Sequence, residues 1–160
     1  MNQDNRAAPV VFRLTYASVA DRTMEASELR RIADTAKRNN AALDVSGLLI
    51  ECAGEFLQVL EGERDAVLWL YQLIEKDPRH HSASILSTET NVKRQFNEWS
   101  MGCFCLAPED LPEGFLFERN DDGPRLQLDG RMRAEDLLAT FYREHRSAGD
   151  DTAFASIIAA

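Results

Sequence analysis

Ser46-Gly47-Leu48-Leu49-Ile50-Glu51-Cys52-Ala53-Gly54-Glu55-Phe56-Leu57-Gln58-Val59-Leu60-Glu61-Gly62 reads as two strands, Ser46 to Cys52 and Glu55 to Leu60, joined at Ala53-Gly54. A two-residue connection of this kind marks a tight antiparallel hairpin. Side chains alternate between the two faces of a strand, so Phe56, Gln58 and Leu60 share one face. An amide is out of place there, because an unpaired buried polar group costs about 1–3 kcal/mol. Gln58 calls for a partner.

Working outward, Val10 to Ser18 reads as a strand with Val10, Phe12, Leu14, Tyr16 and Ser18 on one face. A helix is expected from about Met24 to Asn39, with Thr23 as N-cap and Leu29, Ile32, Ala33 and Ala36 as its apolar stripe. Asn40 follows Leu29 by close to three full turns, which brings it to the core side; taken alone it would be a helix C-cap. A second helix spans about Arg64 to Lys76, with Ala66, Val67, Leu70, Leu73 and Ile74 inward and Trp69 at the margin. Asp77-Pro78 stops it, since the residue before proline disfavours helix. Ser82 to Glu89 and Trp99 to Leu106 complete the strands, linked by the polar stretch Thr90 to Glu98.

The order is therefore βαββαββ. Right-handed crossovers place both helices on one face of the sheet, which gives an α+β, ferredoxin-like sandwich with an added strand. The cleft between the helices is the natural ligand site. Tyr16, Asn40 and Gln58 all point toward it, and three polar groups converging on a small core suggest a flat, polar ligand. The opposite sheet face is left for the C-terminal residues to cover. Leu137, Leu138, Phe141 and Tyr142 make Ala134 to Arg146 an amphipathic helix, and Ala153 to Ala160 can add a short apolar one. Phe115 to Gln127 is ambiguous: Asn120-Asp121-Asp122-Gly123-Pro124 is a strong turn and its flanks alternate like a hairpin, but the pattern leaves the structure of 107–131 open.

Composition bounds the function. A chain of 160 residues, 44% apolar and 28% charged, suits one globular domain. No membrane-length apolar run and no signal-peptide core are present, so a cytoplasmic location is the default expectation. The net charge of −9 disfavours nucleic acid and anionic membranes as partners. Cys52, Cys103 and Cys105 lack metal-ligand spacing with His80 or His81 and read as reduced structural thiols, so no metal is expected.

Tyr16-Ala17-Ser18, Asn39-Asn40, Ser46-Gly47-Leu48-Leu49, Phe56 to Gly62, Asp77-Pro78-Arg79-His80 and Phe96-Asn97-Glu98-Trp99-Ser100-Met101 occur in that order. Together they resemble the BLUF family, blue-light sensors that use FAD, over about Val10 to Cys105. The resemblance implies a flavin-binding domain at residues 10–106, after a disordered 1–9 and before an extension at 107–160. It implies flavin contacts from Asn40, Asn39, Arg79, His80 and Ser18, with Tyr16 and Gln58 as the photoactive pair. FMN shares the ring and is an alternative occupant to FAD.

The implied mechanism is light-driven electron and proton transfer from Tyr16 through Gln58 to the flavin. Gln58 is left rotated or tautomerised, with a new hydrogen bond to the ring carbonyl that shifts absorption to the red. No cysteine lies at these positions to form an adduct. Trp99 and Met101 are implicated in relaying the signal. The sequence departs from the family pattern at Ser46, where threonine is common, and at Asp44, which puts a charge near the entrance.

The reading is thus a stand-alone blue-light receptor, not an enzyme, that signals to an unidentified protein partner or within a homo-oligomer. An acylphosphatase-like hydrolase would share the topology, but Ala17-Ser18-Val19-Ala20 offers no Arg-bearing anion loop. A flavin-free ferredoxin-like interaction module is the alternative. Intact Tyr16, Asn40 and Gln58 speak against it.

Overall fold

Five strands form one sheet: β1 (Val10–Ala20), β2 (Ser46–Cys52), β3 (Glu55–Gly62), β4 (His80–Lys93) and β5 (Gly102–Leu106). In the computed structural model, which describes residues 10–22, 24–97, 100–111, 113–120, 123–128, 130 and 133–145, the order is β4-β1-β3-β2-β5. The first four strands pair antiparallel, and β5 adds to β2 in parallel. The β2–β3 turn pairs Cys52 with Glu55 and holds Ala53 and Gly54 at φ of 47° and 88°. Both central residues at positive φ give the turn whose twist suits a hairpin.

Helices α1 (Ala26–Ala42) and α2 (Arg64–Glu75) follow β1 and β3. Leu29 and Ala33 of α1 and Val67, Leu70 and Tyr71 of α2 pack in one core with Phe12, Leu14, Tyr16, Leu49, Phe56 and Leu60. The residues of opposite parity, Leu48, Ile50, Leu57, Val59 and Phe104, form a second core with Leu137, Leu138 and Phe141 of α3 (Ala134–His145). Both sheet faces are therefore covered, and every residue of β3 is buried. That double burial explains the nearly continuous apolar run in β3, as in other sheets covered on both sides. The ferredoxin-like sandwich and the helix on its far face agree with the sequence reading.

Several local boundaries differ. Helix α1 starts two residues later, where the Glu28 carboxylate accepts from the Glu25 backbone N–H at 3.4 Å; Thr23 lies outside the described residues. It also runs on to Ala42, so Asn40 sits inside the last turn and not at the cap, which is Leu43. Leu73 is half exposed rather than inward. Strand β4 continues through the polar Thr90 to Lys93 because Val92 and Lys93 pair with Val11 and Val10. Met101 precedes β5 instead of belonging to it.

The stretch that the sequence leaves open is a hairpin, β6 (Phe115–Asn120) paired with β7 (Gly123–Leu128). The tail helix is described over Ala134–His145, and Arg146 and the expectations for residues 1–9 and 153–160 lie outside the described residues. Among the described residues no helix is long and apolar enough to cross a membrane.

Candidate functional site

Strand register makes the centre of the site. Tyr16 of β1 and Gln58 of β3 are directly paired, on the face that α1 and α2 cover. Side chains opposite one another in an antiparallel pair lie close enough to bond. The Tyr16 hydroxyl donates to Gln58 Oε1, and Gln58 Nε2 donates to Met101 Sδ at 3.4 Å. All three side chains are buried. Burial, then the neighbouring Tyr71 and Asp77, push the Tyr16 phenol well above the ordinary tyrosine range. The phenol is therefore a protonated donor at neutral pH.

Asn40 enters from α1. Its Nδ2 donates to the Ser100 carbonyl at 2.8 Å, one residue from Met101. Two amides of the same face, Asn40 and Gln58, thus hold adjacent points of the segment before β5.

The helices leave a cleft of about 180 Å³ between them. Its α1 wall is Ile32, Thr35, Ala36, Asn39 and Asn40, and its α2 wall is Leu70, Leu73 and Ile74, continuing to Asp77. Each set follows the three- and four-residue spacing of one helix face. Tyr16, Leu49, Phe56 and Gln58 form the floor, and Arg79 and His80 close the end after α2. Arg79 Nε donates to Asp77 Oδ1 at 2.9 Å, which holds the Asp77 carboxyl below the usual carboxylate range. His80 Nε2 donates to the Ile74 carbonyl, so in the neutral ring Nδ1 accepts from the Ser18 hydroxyl, 2.8 Å away.

Of the residues singled out from sequence, Tyr16, Asn39, Asn40, Gln58, Arg79 and His80 line this one cleft. Ser18 does not; it stands behind His80 and bonds that ring, so the expected flavin contact is not part of the cleft lining. Met101 touches Gln58 from behind the wall, and Trp99 lies outside the described residues. Asp44 is away from the cleft, in the turn before β2 with φ of 52°, its carboxylate 3.6 Å from Arg94. Tyr71 was missed: its ring meets that of Tyr16 edge-on with centroids 5.3 Å apart. Met24 and Thr35 were missed too, and Thr35 falls on the stripe that already contains Ile32 and Ala36.

No cysteine lines the cleft; Cys52, Cys103 and Cys105 are free thiols, Cys105 being only partly buried. Burial pushes Cys52 and Cys105 up to about 12, so neither is a ready nucleophile. Among the described residues no cluster could hold a metal ion. A flat ring with apolar faces and a hydrogen-bonding edge fits what is present. The walls are aliphatic, amides gather on one side, and a guanidinium stands at the end.

Comparison with known proteins agrees. The BLUF family, sensors of blue-light using FAD, matches residues 11–102. The photoactivated adenylate cyclase subunit beta of Euglena longa is 48% identical over 89 residues, 55% of this chain but 10% of that protein's length. The chain thus spans a small part of such a relative. The photo-activated state of BlsA superposes with a TM-score of 0.57 at 33% identity, covering 60% of this chain and 70% of that one. The dark-state structure of BlrB, a BLUF protein, shares the fold across 92% of this chain and 97% of its own, with a TM-score of 0.58 and 24% identity. The chain belongs to the BLUF family and carries its blue-light-sensing, FAD-binding domain.

Proposed function

We propose that this protein reports blue light through a switch made of Tyr16 and Gln58. The observation that carries the reading is the buried line Tyr16 hydroxyl, Gln58 amide, Met101 sulfur beside the cleft. FAD bound there supplies the blue absorption and, once excited, a strong electron acceptor. Asn40 and Asn39 would hold its polar edge, Ile32 and Leu70 would flank the ring, and Arg79 would meet its phosphates, with His80 bonded to Ser18 at the same end. Tyr16 would be the electron donor, its hydroxyl proton moving along the bond to Gln58 Oε1, and both would return to Tyr16 to leave only Gln58 rearranged. The Gln58 amide is the part with two stable states, because its oxygen and nitrogen can exchange places in nearly the same volume. Exchange would put a donor where Oε1 now faces Tyr16 and would take the donor away from Met101.

The site itself is a sensor site with no hydrolytic or group-transfer machinery among the residues that line it. Its lit state is passed to a protein partner or to a second copy, in the cytoplasm. The segment before β5 passes it on by altering the packing of α3. The test is Tyr16→Phe, which should retain FAD and lose the light-induced red shift. A normal shift in that variant would show that another group supplies the electron and proton.

A further inference from the structure

Glu61 lies three residues beyond Gln58 on β3, on the opposite face, and is fully buried. Its Oε2 accepts from Arg13 Nε at 3.1 Å. Its Oε1 accepts from Ser46 Oγ at 3.3 Å, from the Gln95 N–H at 2.8 Å and from the Phe96 N–H. The segment that carries Met101 is therefore held at both ends from one strand. Its start is fixed to Glu61, and its end to Gln58 and, through Ser100, to Asn40.

The same buried carboxylate begins a chain of charges that leads away from the cleft. Arg13 also bonds the Glu89 carboxylate and the Lys93 carbonyl. Glu89 Oε1 accepts from Arg133 NH1 at 2.8 Å. The Arg133 carbonyl accepts from the Asp136 and Leu137 N–H groups at the first turn of α3, and its side chain lies 3.1 Å from Glu135. Ser87 Oγ donates to Glu135 at 3.0 Å. Glu61, Arg13, Glu89 and Arg133 thus connect the loop behind the photoactive pair to the helix on the far face.

We infer that Glu61 and Arg13 are positioning residues that couple the Gln58–Met101 contact to the N-terminus of α3 through Glu89 and Arg133. Phe96 and Met101 are five residues apart in the sequence, so the anchor at Glu61 and the anchor at Gln58 belong to one short stretch of chain. Charged hydrogen bonds that join Arg13 and Arg133 to Glu61, Glu89 and Asp136 are directional, and a shift at one member changes the geometry available to the next. The two-state element that drives the chain is the Gln58 amide, so the inference rests on the proposed function above.

The test uses the full chain loaded with FAD and two readouts, the absorption shift and hydrogen exchange of α3 amides in dark and light. In the unaltered protein, α3 exchange should differ at least about fivefold between the two states. Arg133→Gln changes an exposed side chain. It should keep the red shift and the dark-state protection of Leu138 and Phe141, yet lose the light-dependent difference. Glu61→Gln keeps an acceptor for the loop amides and removes the charge facing Arg13. It should lose the same difference and change the dark-recovery lifetime at least about fivefold. Arg13→Lys takes its place if that variant does not fold.

A full-sized α3 difference in Arg133→Gln overturns the coupling, as does unchanged recovery in folded Glu61→Gln. So does unaltered protein with a red shift but no α3 response. Lost dark protection in Arg133→Gln would reduce that residue to a helix anchor and likewise overturn it. Absence of the red shift in unaltered protein would instead overturn the proposed function.

Discussion

The two faces of the sheet handle buried polar groups in opposite ways. On the α3 face, Glu61 has its donors supplied by Arg13, Ser46 and two backbone amides, and aromatic rings of the same face pack against each other, Phe96 against Tyr142 at 5.2 Å and Phe104 against Phe141 at 4.6 Å. On the α1–α2 face, Tyr16, Gln58 and Asn40 sit beside a cleft whose walls include the half-exposed Leu73. The first arrangement is closed by the protein alone. The second has room for a ring that would cover Leu73 and meet the amides. A buried polar group signals a ligand when the space beside it is open, and signals architecture when other protein groups fill that space.

If the α3 face is the structural one, Leu138→Ala should have the largest effect on stability. Leu138 is fully buried, and truncating such a side chain costs about 2–5 kcal/mol. Leu73→Ala on the cleft wall should stay within about 0.5 kcal/mol in the ligand-free protein, as surface changes do. Urea unfolding of both variants checks the contrast, and equal losses would erase it.

Asn40→Ala should act on the ligand. Losing a hydrogen-bonding amide costs about 1–3 kcal/mol, which is about tenfold or more in flavin affinity. Fluorescence titration with FAD measures it, and undiminished affinity would move the ring's polar edge away from Asn40.

The smallest effect concerns pH. Burial raises the Tyr16 phenol, so the folded protein keeps that proton at a higher pH than the unfolded chain does. The Tyr16 contribution should be level below about pH 10, the ordinary tyrosine value, and should fall as pH rises through it, on top of an earlier decline from the buried Cys52 and Cys105 thiols. Tyr71, also raised by burial, adds to the decline. Tyr16→Phe should make the alkaline decline shallower by up to about 1.4 kcal/mol per pH unit. Identical alkaline unfolding profiles would mean that Tyr16 is not held protonated by its surroundings.

What the sequence made legible follows the same division. Period-two and period-3.6 patterns placed Tyr16, Gln58 and Asn40 on one side, because parity and helical phase are local properties. The paired registers of β1 and β3 then bring Tyr16 opposite Gln58 without further adjustment. Long-range pairing was not legible. Thr90 to Lys93 look like a loop because they are polar, yet their partners on β1 extend the strand. Asn40 looked like a cap by residue preference, while the helix continues past it and its carbonyl takes the Leu43 and Val45 N–H groups. Nothing local marks Arg13 and Glu61 as partners, and only pairing of β1 with β3 makes them a buried pair.

The most direct measurement is the visible spectrum of the FAD-loaded protein in darkness, under blue light and during return to darkness. A flavin band that shifts to the red and recovers in the dark is the result the Tyr16–Gln58 switch predicts. Bound flavin with an unchanged band under illumination would contradict it.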